Sequence, residues 1–224
     1  MTYEYLLLDI DNHVATVTIN RPPVNPLNSV VFKEIGLLMD ELDQRDDVRV
    51  IVLTGSGNKA FVAGADVHEM ADVTLPEINK MNKVSREAFT KVENATKPVI
   101  AAINGVALGG GFELALACDL RISSEKAQFA FPEVGLGIIP GGGGTQRLQK
   151  IVGQGVAKEL LYFGDMLSAK KAEDYHIVNK VVAHEEVLDT AKDWATKLAK
   201  KPPIALQMLK LAVNKGSQAD IDTG

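Results

Sequence analysis

Three observations predict an α/β layered fold. Short apolar runs with the length of buried strands, Arg49-Val-Ile-Val-Leu-Thr54 and Pro98-Val-Ile-Ala-Ala-Ile103, alternate with stretches of helical periodicity. The periodicity is clear over residues 30 to 44, where Val31, Ile35, Leu38 and Leu42 share one face. The last third is helical in pattern. Strands that alternate with helices form a layered sheet with right-handed crossovers.

In chain order, Tyr5-Leu-Leu-Leu-Asp-Ile10 and Val14-Ala-Thr-Val-Thr-Ile19 flank Asp11-Asn12 and read as a hairpin. Asn20-Arg-Pro-Pro-Val-Asn-Pro-Leu-Asn28 is a proline-stiffened loop, and Asn28-Ser29 can cap the helix that follows. The strand 49–54 closes at Gly55-Ser-Gly57. Phe61-Val-Ala-Gly-Ala-Asp-Val-His-Glu-Met70 is a small-residue turn running into a helix, with Asp66 near its start. Leu75 to Asn94 is a long polar-faced helix. Asp119-Leu-Arg-Ile-Ser123 and Ala127-Gln-Phe-Ala-Phe131 read as strands, the second broken by Pro132-Glu133. Gly135 to Gly144 is a glycine-rich loop. Helices are expected over 145–151, 156–163, 168–174, 184–200 and 203–214, with a brief apolar run at 178–182.

The chain is organised around Asn104 to Asp119. A buried strand ends at Ile103, Gly109, Gly110 and Gly111 follow, and Phe112-Glu-Leu-Ala-Leu-Ala-Cys118 reads as a helix. Strand, glycine turn and helix together point free backbone N–H groups at something negative. Glu113 stands one helical turn past Gly110, so a carboxylate neighbours a site for developing negative charge. The same stretch also suits a structural role. Glycines allow tight packing, and glutamate in a first turn pairs with the helix dipole.

Composition narrows the classes. The 224 residues are 46% hydrophobic and 24% charged, which is ordinary for a soluble globular protein. A net charge of −5 disfavours a nucleic-acid or anionic-membrane binder. Cys118 is the single cysteine, cannot form an internal disulfide, and points to a reducing, cytoplasmic setting. No signal-peptide pattern and no apolar run of spanning length is seen. Gly55-Ser-Gly57 lacks the dinucleotide fingerprint, and Gly141 to Gly144 lacks the Gly-Lys-Ser/Thr ending of a triphosphate loop. No Gly-x-Ser-x-Gly elbow occurs. His13, His68, His176 and His184 have no metal-ligand spacing, so no metal is expected.

Five motifs in one order carry a resemblance: Asn20-Arg-Pro22, Ala63-Gly-Ala-Asp66, Asn104 to Gly109, Gly109-Gly-Gly-Phe-Glu113, and Pro140-Gly-Gly-Gly-Gly-Thr-Gln-Arg147. From about Tyr5 to its end, the chain resembles the crotonase superfamily, and within it the enoyl-CoA hydratases. The resemblance implies a spiral of β-β-α repeats with a helical C-terminal region, here 1–195 and 196–224. It implies an acyl-CoA substrate, with no cofactor because CoA is part of the substrate. It places an oxyanion hole on the N–H groups of Ala63 and Gly110, and substrate binding on Ala63, Gly64, Ala65, Asp66 and Gly110. It makes Glu113 the base on water and Glu133 the acid toward the α-carbon. On spacing alone Glu133 is a solvated loop carboxylate. Arg21 and Lys59 are candidate partners for the CoA phosphates.

Both glutamates together favour a hydratase adding water to a 2-enoyl-CoA. The alternatives are a Δ3,Δ2-enoyl-CoA isomerase, another crotonase-type lyase, or a non-catalytic acyl-CoA binder. A homotrimer or a hexamer built as a dimer of trimers is expected, with no nucleic-acid or membrane partner. Two departures stand out. Asn25-Pro-Leu-Asn28 has proline where the family often has alanine. The chain ends at Ile221-Asp-Thr-Gly224, where family members continue with a helical tail that helps close the acyl pocket, so truncation is expected.

Overall fold

The computed structural model describes residues 2–70 and 74–216. Strands β1 (Leu6–Asp11) and β2 (Val14–Ile19) form the expected antiparallel hairpin. After helix α1 (Ser29–Asp43) the chain winds in a repeated pattern. Each turn lays one strand in a large sheet and the next in a small one. The pairs are β3 (Val50–Gly55) with β4 (Ala60–Val62), β5 (Val99–Ile103) with β6 (Val106–Leu108), and β7 (Leu120–Ser124) with β8 (Gln128–Ala130). Helices follow each pair: α2 (Val67–Met70) and α3 (Leu75–Asn94), then α4 (Gly110–Ala117), then α5 (Gly144–Phe163), which is broken at Gly153 (φ 75) into the two helical pieces expected. Strand β9 (Leu167–Ser168), α6 (Ala169–Asp174), β10 (Lys180–Val182), α7 (Val187–Ala199) and α8 (Pro203–Gly216) complete the described chain. The six-stranded sheet runs β1-β2-β3-β5-β7-β10, and the four-stranded sheet runs β4-β6-β8-β9. This is the expected strand–strand–helix spiral.

The central strands β3 and β5 of the large sheet are buried along their whole length, which explains why they are near-continuously apolar. In β3, Ile51 and Leu53 join the main core with α1, while Val50 and Val52 face the other way. That second face is covered by α7 through Val187, Ala191, Ala195 and Ala199. Their four-residue spacing makes a single stripe, and the small alanines let the helix sit close to the sheet. The expected boundary at 195 falls inside α7. Helix α8 buries none of its residues fully and is tied down by Lys210, which bridges to Asp119 Oδ2 at 2.8 Å and donates to Lys97 O at 3.1 Å. The chain end at Ile221-Asp-Thr-Gly224 lies outside the described residues.

Three differences from the sequence reading stand out. Strands β4, β6 and β9 are two or three residues long, too short to show a periodicity. The helix after the glycines starts at Gly110 rather than Phe112. Pro132–Leu136 forms a 3-10 turn instead of only breaking a strand.

Candidate active site

Helix α4 begins where β6 ends, between two other turns of the spiral. Its approach to β4 requires glycine: a Cβ on Gly111 would run into the Val62 carbonyl. Gly109 N donates to Ala130 O at 2.9 Å, which fixes the turn on β8. Gly110 N, first in the helix, has no intrahelical acceptor and no other among the described residues.

The N–H expected to be the second donor is engaged elsewhere. Ala63 N donates to Val24 O at 3.0 Å, so that N–H is occupied within the fold. Ala65 N has no acceptor among the described residues, and it lies 3.7 Å from where a Cβ on Gly110 would stand. The cause is local. Gly64, at φ 97, turns the chain between the two alanines. Residue 65 then bridges Leu27 in parallel, with Leu27 N donating to Gly64 O and Asp66 N donating to Leu27 O, both at 2.8 Å. In such a bridge the central residue's own N–H points to the opposite side. The free pair is therefore Ala65 and Gly110, not Ala63 and Gly110. Ala63 and Gly64 still line the cleft.

Glu113 is 3% exposed. Its Oε1 accepts from Gly142 N at 2.8 Å and from Gly144 N at 2.7 Å, the latter at the start of α5. Burial pushes its carboxyl above the usual range, while these N–H groups and the Arg147 charge pull the other way. A Cβ on Gly142 would stand 2.7 Å from Glu113 Oε2 and 2.6 Å from Phe89 Cε2, so loop, carboxylate and ring meet at one point.

Glu133 sits on the 3-10 turn, half-buried rather than solvated. Its Oε1 lies 2.7 Å from where a Cβ on Gly109 would stand. Its Oε2 is buried with no hydrogen-bond partner among the described residues. Burial, with a smaller contribution from the Glu113 charge, pushes its carboxyl up to about 7.

Both carboxyls, Ala65 and Gly110 line a cleft with about 980 Å³ of empty space, part of it open to solvent. Helix α3 supplies one wall through Ile78, Met81, Asn82, Ser85 and Phe89. Ile78, Met81, Ser85 and Phe89 recur at three- and four-residue steps inside a helix rich in polar residues. Their spacing carried the signal, but charged neighbours obscured it. Asp66 also lines the cleft, and its carboxylate is bridged to Arg21 at 2.6 Å and accepts from His68 N at 3.1 Å. Arg21 is thereby engaged, donating also to Pro26 O at 3.2 Å. Lys59 is exposed.

The remaining candidates stay outside the cleft. Cys118 is buried at the end of α4, where its surroundings push the thiol up to about 12. Among the described residues no group of three His, Cys, Asp or Glu could hold a metal ion. Among them no helix is long and apolar enough to cross a membrane.

Two backbone donors beside two carboxyls can stabilise charge on an oxygen and move protons at carbons next to it. The family model described as enoyl-CoA hydratase/isomerase matches residues 9–223. Over 224 residues the chain is 46% identical to the short-chain-enoyl-CoA hydratase of Clostridium acetobutylicum, spanning 100% of this chain and 86% of that one. It is 44% identical over 223 residues to the crotonyl-CoA hydratase of Syntrophomonas wolfei, spanning 99% and 86%. The crystal structure of an enoyl-CoA hydratase from Bacillus anthracis matches with a TM-score of 0.95 at 40% identity, over 98% of this chain and 86% of that chain.

Proposed function

The chain belongs to the enoyl-CoA hydratase/isomerase family, and from that premise we propose that it adds water across the 2,3-double bond of a 2-enoyl-CoA to give a 3-hydroxyacyl-CoA. Attack of water at C3 pushes electrons through the conjugated thioester onto its oxygen. The N–H groups of Ala65 and Gly110 receive that oxygen and stabilise the charge as it develops. Removing one such donor typically costs about 3 kcal/mol of barrier.

Two protons must also move. Glu113 Oε1 is held by two N–H groups, which oppose the burial that raises its carboxyl and leave Oε2 for the attacking water. Glu133 has an unpartnered oxygen and a carboxyl pushed up to about 7, so a large share of it still holds a proton at neutral pH. Glu113 accordingly takes a proton from water as the C3–O bond forms, and Glu133 delivers one to C2. In dehydration the two exchange roles. Neither step calls for a metal or redox cofactor, since CoA is part of the substrate.

The observation that carries this reading is the pair of carboxyls, Glu113 fixed by two N–H groups and Glu133 with an unpartnered oxygen, beside free backbone N–H groups in one cleft. The test is turnover of crotonyl-CoA by the wild type, Glu113→Gln and Glu133→Gln. Loss of hydration in both variants is expected. Retained hydration in Glu113→Gln overturns the assignment, and isomerisation of a 3-enoyl-CoA without any hydration makes the protein an isomerase.

The same proposal extends to assembly, location and division of the chain. A homotrimer or dimer of trimers in the cytoplasm fits the family likeness and the single buried thiol. Light scattering showing a monomer would refute the trimer. The described spiral through α5 carries the site, and α8 belongs to the C-terminal helical region.

A further inference from the structure

Arg147 lies on α5, one turn past the start of the helix, and does not line the cleft. Its side chain is only 11% exposed. One guanidinium nitrogen donates to Gly142 O at 2.8 Å, and the other bridges to Glu93 Oε2 on α3 at 2.7 Å. The loop lies directly on the guanidinium, since a Cβ on Gly143 would run into Arg147 Nη1. Its Nε is buried without a partner among the described residues. A charge placed at that cost has a purpose beyond solubility. The loop that it grips is the one whose Gly142 and Gly144 N–H groups hold Glu113.

The charged groups facing Glu113 come from two elements, Arg147 from α5 and Glu133 from the 3-10 turn, and Glu93 on α3 holds Arg147 from behind. Among them only Arg147 favours the ionised carboxylate. We propose that Arg147 is a positioning residue for Glu113: anchored on Glu93, it presses the Gly141–Gly144 loop and its N–H groups against the carboxylate and keeps it ready to take a proton from water. The guanidinium acts in two ways. Its fork fixes the Gly142 carbonyl, which sets the direction of the loop. Its charge, close by in a dry environment, opposes the burial that drives Glu113 toward protonation. Neither contribution touches the acyl-CoA.

This inference rests on the role proposed for Glu113. Its test is the pH profile of crotonyl-CoA hydration for wild type, Arg147→Gln and Arg147→Lys, with folding checked by circular dichroism. Arg147→Gln should lose kcat by about 10- to 100-fold with KM held, and the acid limb of its profile should move up by about one pH unit. Arg147→Lys keeps the charge but not the fork. It should lose kcat less, with its acid limb close to that of wild type. A folded Arg147→Gln protein with an unshifted acid limb overturns the proposal. If that variant fails to fold, Arg147→Lys decides: a fall in kcat at constant KM sustains the proposal, and unchanged kcat or a rise in KM alone overturns it. A wild type that does not hydrate crotonyl-CoA would instead remove the function on which the inference stands.

Discussion

Gly144 N–H donates to Glu113 Oε1 at 2.7 Å, so the first amide of α5 closes on a carboxylate carried by α4. Two helices from successive turns of the spiral are therefore joined by a hydrogen bond through this side chain. Glu113→Gln keeps an oxygen able to accept both N–H groups but removes the base. Hydration of crotonyl-CoA should fall by about 10²–10⁴-fold, with a thermal midpoint no lower than that of wild type. Steady-state kinetics and calorimetry on the same preparation check both halves.

Glu133 makes stability fall as pH rises. Its folded-state pKa, about 7, lies above the ordinary 4.5, so the folded protein holds this proton more tightly than the unfolded chain does. The stabilisation is complete below pH 4.5 and is lost as pH climbs through about 7. Glu133→Gln cannot ionise. It should raise the thermal midpoint by a few degrees at about pH 8 and change it little at about pH 4, while hydration is lost at both. Equal midpoint shifts at the two pH values would contradict this.

Adjacent glycines should fail differently. A methyl on Gly110 meets Leu27 Cδ1 at 3.6 Å and Ala65 N at 3.7 Å, ordinary contact distances, yet it occupies the space between the two free donors. Gly110→Ala should fold with a midpoint near that of wild type and lose about 100-fold or more in kcat/KM. A methyl on Gly111 collides with the Val62 backbone, so Gly111→Ala should lower the midpoint sharply or prevent folding. Melting curves and turnover of the pair separate the two outcomes.

Arg21 holds the loop of residues 63–66 through Asp66 at 2.6 Å. The guanidinium keeps the Asp66 carboxyl below the usual carboxylate range, so this bridge persists above the ordinary pKa and is lost only in acid. Arg21→Gln frees the loop beside Ala65. KM for crotonyl-CoA should rise several-fold with a smaller effect on kcat, which initial-rate measurements would show.

The layered fold and the long elements were legible because their periods are long enough to count. Helix α3 was expected at 75–94 and is found there, and the apolar run 98–103 became β5. The glycine turn before Glu113 was legible from its residue types. The donor at residue 65 was not. Ala63 and Ala65 are the same residue type two positions apart, and only the left-handed turn at Gly64 decides which amide is free. Arg147 lay within a motif singled out in the sequence. Its contact with Gly142, five residues back, depends on how the loop folds over the start of α5. Arg21 was read as a candidate phosphate partner because nothing local announces Asp66, 45 residues away.

The double-sheet winding distributes the chemistry. The segment after β4 brings Ala65, the one after β6 brings Gly110 and Glu113, and the one after β8 brings Glu133. Each coil thus contributes its own component to a shared workplace. Replacing one coil's connecting loop alters one tool and leaves the others in their holders, so new reactions can arise on this scaffold by exchanging acids and bases one coil at a time.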